Sequence, residues 1–132
     1  GQGYIRFEPR GQYIGTEPYN KWTKPSCVLI GEDNYSDACG FPYVYKTLGI
    51  GKLIGAPVPG TMTAVWWENQ IDPSIVFGIP QVGAIGVKEG RYLENMQIEP
   101  DILVYNDPAS VLRGEDRQLE AAVKEMLKTI EK

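Results

Sequence analysis

The sequence predicts an α/β fold on three observations. Cys27-Val28-Leu29-Ile30-Gly31 is an unbroken apolar run, the mark of a strand covered on both faces, as in a parallel sheet. Phe41, Val44, Tyr45 and Leu48 recur at i, i+3, i+4 and i+7, the stripe of an amphipathic helix. Lys52-Leu53-Ile54-Gly55 is a second short strand. Strand, helix and strand in that order build a parallel sheet, whose functional loops lie at the carboxyl ends of its strands.

Each element has a local cause. Residues 1–26 are rich in Gly, Pro, Tyr and charge. Tyr4-Ile5-Arg6-Phe7 is a short strand candidate there, and the rest reads as loop. A loop of this length is unusual inside a compact domain. The chain therefore divides into a loop-rich segment, 1–26, and a main unit, 27–132. Within the main unit, Gly49 and Gly51 stop the first helix, and Pro42 suits a position near its first turn. Two prolines make 56–60 a loop. Thr63 to Trp67 is β-prone. Ser74 to Ile79 is a further strand, with 80–87 expected to pair back on it. Trp66 and Trp67 are neighbours and face opposite ways in a strand, so at least one is expected inside. Asp101 to Tyr105 is a late strand, and Asn106-Asp107-Pro108 a turn or helix start. Leu119, Ala122, Val123, Met126 and Ile130 mark the inner face of a last helix, which Asp116 caps.

Composition narrows the chemistry. The chain has 132 residues with net charge −4 and no basic stretch, so no phosphate-neutralising surface for nucleic acid is expected. No apolar run approaches the roughly 20 residues of a membrane helix. The chain begins Gly-Gln-Gly without a signal-peptide pattern. Histidine is absent altogether, which excludes a histidine-completed triad within these residues and a histidine metal site. Neither a metal nor a cofactor is expected. Cys27 and Cys39 are too few for a disulfide scaffold. An intervening strand, rising about 3.3 Å per residue, keeps them beyond bonding reach, so both are read as free thiols.

Ser36 follows the polar run Glu32-Asp33-Asn34-Tyr35, between a strand end and a helix start. There it can cap the helix, or present its hydroxyl beside backbone N–H groups that stabilise an oxyanion. The residues alone leave both roles open.

Three blocks in order carry a resemblance. The first is Glu32-Asp33-Asn34-Tyr35-Ser36-Asp37 with Phe41-Pro42-Tyr43 and Leu48 to Gly55. The second is Glu94-Asn95, Glu99-Pro100-Asp101-Ile102 and Asp107-Pro108. The third is Gly114-Glu115-Asp116-Arg117-Gln118-Leu119 with Ala121-Ala122-Val123. Together they resemble the tricorn core proteases, a branch of the carboxy-terminal processing serine peptidases, over about residues 27–128.

The resemblance implies a crotonase/ClpP-like layered β-sheet with flanking helices, present here as part of a complete catalytic domain. It implies Ser36 as nucleophile, the Asp37 N–H as an oxyanion donor, and Glu94 as the carboxylate supporting a histidine, directly or through another serine. Gly60, Thr61 and Met62 would line the substrate cleft. The family's histidine and a second oxyanion donor lie upstream of the matched segment, so the chain by itself is expected to be inactive or nearly so. The implied partners are a peptide or protein substrate, the remainder of the parent catalytic domain and, in an oligomer, copies of itself. The implied location is extracytoplasmic.

The sequence departs from the family at two places, Ala38-Cys39 and the loop 56–61. Ala38-Cys39 stands where a glycine and an acidic residue usually follow the Ser-Asp pair, and Cys39 is expected to pack. The loop 56–61 lacks the family's Trp-Gly-Gly pattern. Val58-Pro59-Gly60-Thr61 also lacks the lysine used by the family's serine–lysine branch. Two other readings compete. A non-catalytic binding module on the same fold would line a pocket with Tyr35, Phe41, Tyr43, Trp66 and Trp67. An acyl-CoA enzyme of crotonase type shares the layout but finds no binding signature here.

Overall fold

A computed structural model describes residues 5–7, 15–17 and 22–130. In the first 26 residues, β1 (Ile5–Phe7) and β2 (Gly15–Glu17) pair antiparallel. The strand expected at Tyr4–Phe7 is therefore present at Ile5–Phe7, Tyr4 lying outside the described residues. The reading of the rest as loop is corrected by β2, and the remaining residues of 1–21 lie outside the described ones.

The main unit is a three-stranded parallel sheet. It consists of β3 (Cys27–Ile30), β4 (Lys52–Gly55) and β7 (Ile102–Leu103), in the order β3-β4-β7. α1 (Asp37–Thr47) is the crossover from β3 to β4. Leu53 and Ile54 of the central strand point to opposite faces, and both are fully buried. Leu53 meets Ile30, Cys39 and Tyr45 on the α1 side. The opposite face is covered by α3 (Arg117–Ile130), whose Ala122 is buried. The sheet thus lies between two helices. Gly55 takes φ +133° where a Cβ would stand 2.0 Å from the Ile30 carbonyl oxygen, so only glycine lets β4 end this close to β3.

Several expectations about faces need correction. β3 is not buried on both faces, because it lies at the end of the strand order and Leu29 stays 43% exposed. In α1 the buried residues are Cys39, Pro42 and Tyr45, whereas Phe41, Val44 and Leu48 form an exposed apolar stripe. In α3, Ala122 faces the sheet, but Leu119, Val123 and Ile130 are exposed. A helix with apolar residues on two sides has two candidate inner faces, and periodicity does not choose between them.

β5 (Thr63–Asn69) and β6 (Val76–Gly83) form a separate two-stranded antiparallel ribbon. The expected break near residue 80 is absent. β6 runs through Pro80, and the register shifts between Ala64 and Val65, leaving Gln81 as the extra residue of a bulge. A bulge is where a strand tolerates proline. Both Trp66 and Trp67 are exposed, which corrects the expectation that one packs inside, because this ribbon pairs with no other described strand.

α2 (Pro108–Leu112) begins as its sequence indicates, with Asp107 at the N-cap and proline in the first turn. The Asp107 carboxylate accepts the Ser110 N–H at 3.0 Å and the Ser110 hydroxyl at 2.7 Å, and pairs with Arg117 at 2.9 Å. Asp107→Ala removes the cap and leaves a fully buried hydroxyl short of its partner. A loss of about 1–2 kcal/mol in urea unfolding is expected. Asp116 caps α3 by accepting the Leu119 N–H at 3.0 Å, as expected.

Candidate active site

The turn from β3 into α1 carries Ser36. Its backbone sits at φ 55°, ψ −116°, a left-handed conformation for a residue with a Cβ. Holding a non-glycine residue there costs about 1–3 kcal/mol and persists only when its surroundings fix it. The Ser36 side chain is exposed and makes no capping hydrogen bond to the helix it precedes. The hydroxyl is therefore presented outward from the end of a strand. This is the geometry of a nucleophile elbow without its usual glycine pattern.

The backbone around Ser36 leaves a helix-start donor over at Asp37. The Ser36 carbonyl accepts the N–H groups of Cys39 and Gly40 at 2.8 and 3.1 Å, and the Tyr35 carbonyl accepts that of Ala38 at 3.0 Å. The N–H of Asp37, the first helical residue, has no acceptor among the described residues. First-turn N–H groups have no intrahelical partner and favour negative charge nearby. An oxygen gaining charge beside Ser36 would find this donor.

Glu94 belongs to a second cluster. Its carboxylate accepts the Met62 N–H at 2.8 Å and is half-buried. Hydrogen bonds from the Thr63 hydroxyl first, and then from the Met62 N–H, hold its pKa below the ordinary glutamate value. The loop around it is strapped to 58–63. The Asn95 N–H reaches the Gly60 carbonyl at 2.7 Å, and Val58 and Ile98 exchange two bonds of 3.0 Å. Asn95 itself is at φ 59°. A Cβ on Gly60 would stand 2.3 Å from the Met96 nitrogen, so glycine permits the close approach.

The ionised Glu94 is better satisfied folded than unfolded. Its contribution to stability is complete above the unfolded pKa and is lost as pH falls through the lower folded value. Glu94→Gln should therefore have a flatter loss of urea stability than the wild type between about pH 5 and pH 3.

The two clusters are joined by Cys39. Its fully buried Sγ lies 2.9 Å from the Pro59 carbonyl oxygen and 3.3 Å from that of Asn34. The expectation that Cys39 packs is met. Gly40 also faces the end of the Met62 side chain. Ser36 and Asp37 thus lie on one side of this link, and Gly60, Met62 and Glu94 on the other. Glu94 makes no hydrogen bond to Ser36 or Asp37. Thr61 forms a tight turn, its N–H bonding to the Pro59 carbonyl at 3.1 Å. Both cysteines are free, and burial, with the nearby Glu125 charge, raises the pKa of Cys27.

Sequence reasoning missed the role of Asn34. Its Oδ1 accepts the Gly31 N–H at 3.0 Å, and its Nδ2 donates to the Ala38 carbonyl at 2.8 Å. An asparagine between a strand and a helix was the available signal, since its side chain readily mimics a backbone turn.

A cleft of about 300 Å³ opens between the second half of α1 and residues 93–99, with Met62, Leu93 and Met96 among its walls. Of the five aromatics expected around a binding pocket only Tyr43 lines it, whereas Tyr35, Phe41, Trp66 and Trp67 are exposed elsewhere.

Known proteins are similar to this chain in sequence and in fold. The chain is 27% identical over 124 residues to the tricorn protease of Thermoplasma volcanium, covering 94% of this chain and 12% of that protein. It is 33% identical over 90 residues to CPj1016/CpB1054 of Chlamydia pneumoniae, covering 67% of this chain and 14% of that protein. It therefore spans only about an eighth of these relatives' length. Its fold matches the crystal structure of the tricorn protease with a TM-score of 0.78 at 23% identity, covering 100% of this chain and 13% of that one. It matches mature CPAF with a TM-score of 0.58 at 26% identity, covering 70% of this chain and 18% of that one. These likenesses bear out the layered α/β fold expected from the sequence. The family model of peptidase family S41 matches residues 4–104, and the chain belongs to that family.

Proposed function

We propose that this chain is the nucleophile-bearing part of a serine peptidase whose histidine comes from polypeptide outside these 132 residues. The observation that carries the reading is the exposed Ser36 at φ 55°, which spends its side chain on no cap. A left-handed serine that stabilises nothing locally has a use elsewhere. On this reading residues 27–132 form the catalytic subdomain that carries the nucleophile, and 1–26 is the N-terminal segment of the same catalytic domain.

The Ser36 Oγ attacks the scissile carbonyl carbon while the histidine takes its proton. The carbonyl oxygen becomes an oxyanion and accepts the free Asp37 N–H. Collapse breaks the C–N bond, the leaving amine takes the proton from the histidine, and an acyl-Ser36 ester remains. Water, deprotonated by the same histidine, then releases the acid and restores Ser36. Glu94, held ionised by Thr63 and Met62, supports the histidinium that forms, directly or through an intervening hydroxyl. The strap at Gly60, Thr61 and Met62 lines the path of a peptide substrate. Without a base the serine is a weak nucleophile, so these 132 residues alone are essentially inactive.

Fluorophosphonate labelling followed by peptide mapping tests this. Ser36 should be labelled in the full-length parent and not in the 132-residue chain. No labelling in the parent would overturn the nucleophile role. Robust hydrolysis by the chain alone, lost in Ser36→Ala, would overturn the external base.

A further inference from the structure

Ser36 does not choose its own backbone conformation, and something must impose it. Every polar group of Asn34 is spent on the turn that contains it. Its N–H donates to the Gly31 carbonyl at 3.2 Å, and its own carbonyl lies 3.3 Å from the Cys39 Sγ. The side chain spans the turn, from the Gly31 N–H at the end of β3 to the Ala38 carbonyl in the first turn of α1. Ser36 lies inside that span.

The Ala38 carbonyl is available for a specific reason. In a regular helix it would accept the N–H of the residue four positions on. That residue is Pro42, the sixth in α1, which has no N–H. The proline inside the helix thus leaves an acceptor that the Asn34 amide fills. Pro42 is fully buried, so it also anchors that end of the brace to the core.

We propose that Asn34 is a positioning residue for the peptidase reaction, its carboxamide bridging Gly31 and Ala38 so that Ser36 is held left-handed with its hydroxyl presented. This rests on Ser36 being the nucleophile. Asn34 touches neither substrate nor reacting atoms, and acts through the backbone of Ser36. Asparagine is required because one end of the bridge needs an acceptor and the other a donor. Aspartate keeps the size and the acceptor, but turns a carboxylate oxygen toward the Ala38 carbonyl.

Two measurements test the proposal on wild type, Asn34→Ala and Asn34→Asp. The first is the backbone conformation of Ser36 in the 132-residue chain, from NMR scalar couplings and carbon shifts that separate positive from negative φ. The second is the rate of fluorophosphonate labelling, with kcat and KM for a peptide, in the full-length parent. Wild-type Ser36 should show positive φ, and both variants should lose it. Labelling and kcat should fall about 100-fold, the usual penalty for misplacing a reacting group, with KM little changed. Positive φ retained in both variants would overturn the proposal, as would an altered φ with an unaltered labelling rate. Should Asn34→Ala fail to fold, the isosteric Asn34→Asp decides by the same readings. A wild-type parent unlabelled at Ser36 would instead sink the nucleophile reading and the positioning role with it, and the NMR result would still report whether the brace exists.

Discussion

Ser36→Ala is expected to lower peptide hydrolysis by the histidine-complete enzyme by about 10⁶-fold, the scale of losing a serine nucleophile. The fold should survive, because the side chain is exposed and bonded to no helix N–H. Alanine keeps a Cβ and therefore keeps the backbone strain. Ser36→Gly should be equally inactive but more stable than wild type by about 1 kcal/mol, since glycine accepts φ 55° freely. A gain in urea midpoint together with loss of activity would mark a residue kept for chemistry against stability. A serine kept only as a cap would give the reverse, with Ser36→Ala costing stability and sparing activity.

The second large effect is expected at Gly60. Its missing side chain faces the Met96 backbone, where a Cβ would lie 2.3 Å from the nitrogen and 2.6 Å from the oxygen. Backbone cannot swing aside as a flexible side chain does. Gly60→Ala must part the strap formed by the Asn95 N–H on the Gly60 carbonyl, and with it shift Glu94 away from Met62. Overpacking of this kind costs about 1–3 kcal/mol in unfolding free energy. On the proposed peptidase role, a displacement of about 1 Å near the reacting groups should cost about 100-fold in rate. Denaturant titration with peptide kinetics on the same preparation checks both. Unchanged kinetics would separate the strap from catalysis.

Local patterns made the main elements legible. β3 and β4 were readable because a short apolar stretch closed by glycine, four residues in β3 and Leu53-Ile54 in β4, is too short for a helix and too apolar for a loop. The helix start at Asp107-Pro108 and the cap at Asp116 were readable because such signals act within one turn. Which face of α1 turns inward was not readable. Cys39, Pro42 and Tyr45 are buried, yet Phe41, Val44 and Leu48 are the more apolar set. Facing depends on what the sheet offers, a tertiary fact that helical spacing does not contain. The ribbon was misread at Pro80, since proline ordinarily breaks a strand and the bulge that shelters it depends on the partner.

The candidate site was legible in its types and illegible in its joints. Ser36, Asp37 and Glu94 came from a family resemblance, which supplies roles and no geometry. The link from Cys39 to Pro59 spans twenty positions, and the Asn34 bridge depends on Pro42 lacking a donor. Such couplings show only when bonds are traced through space.

The exposed ribbon has an optical consequence. The chain has three tryptophans, and Trp22, Trp66 and Trp67 are 72%, 59% and 63% exposed. Native emission should already resemble that of indole in water, and melting of the sheet should barely shift it. Tyr45, 5% exposed and hydrogen-bonded to Ser26 at 2.8 Å, is the chromophore that senses the core. Indole emission will respond instead when something covers the ribbon.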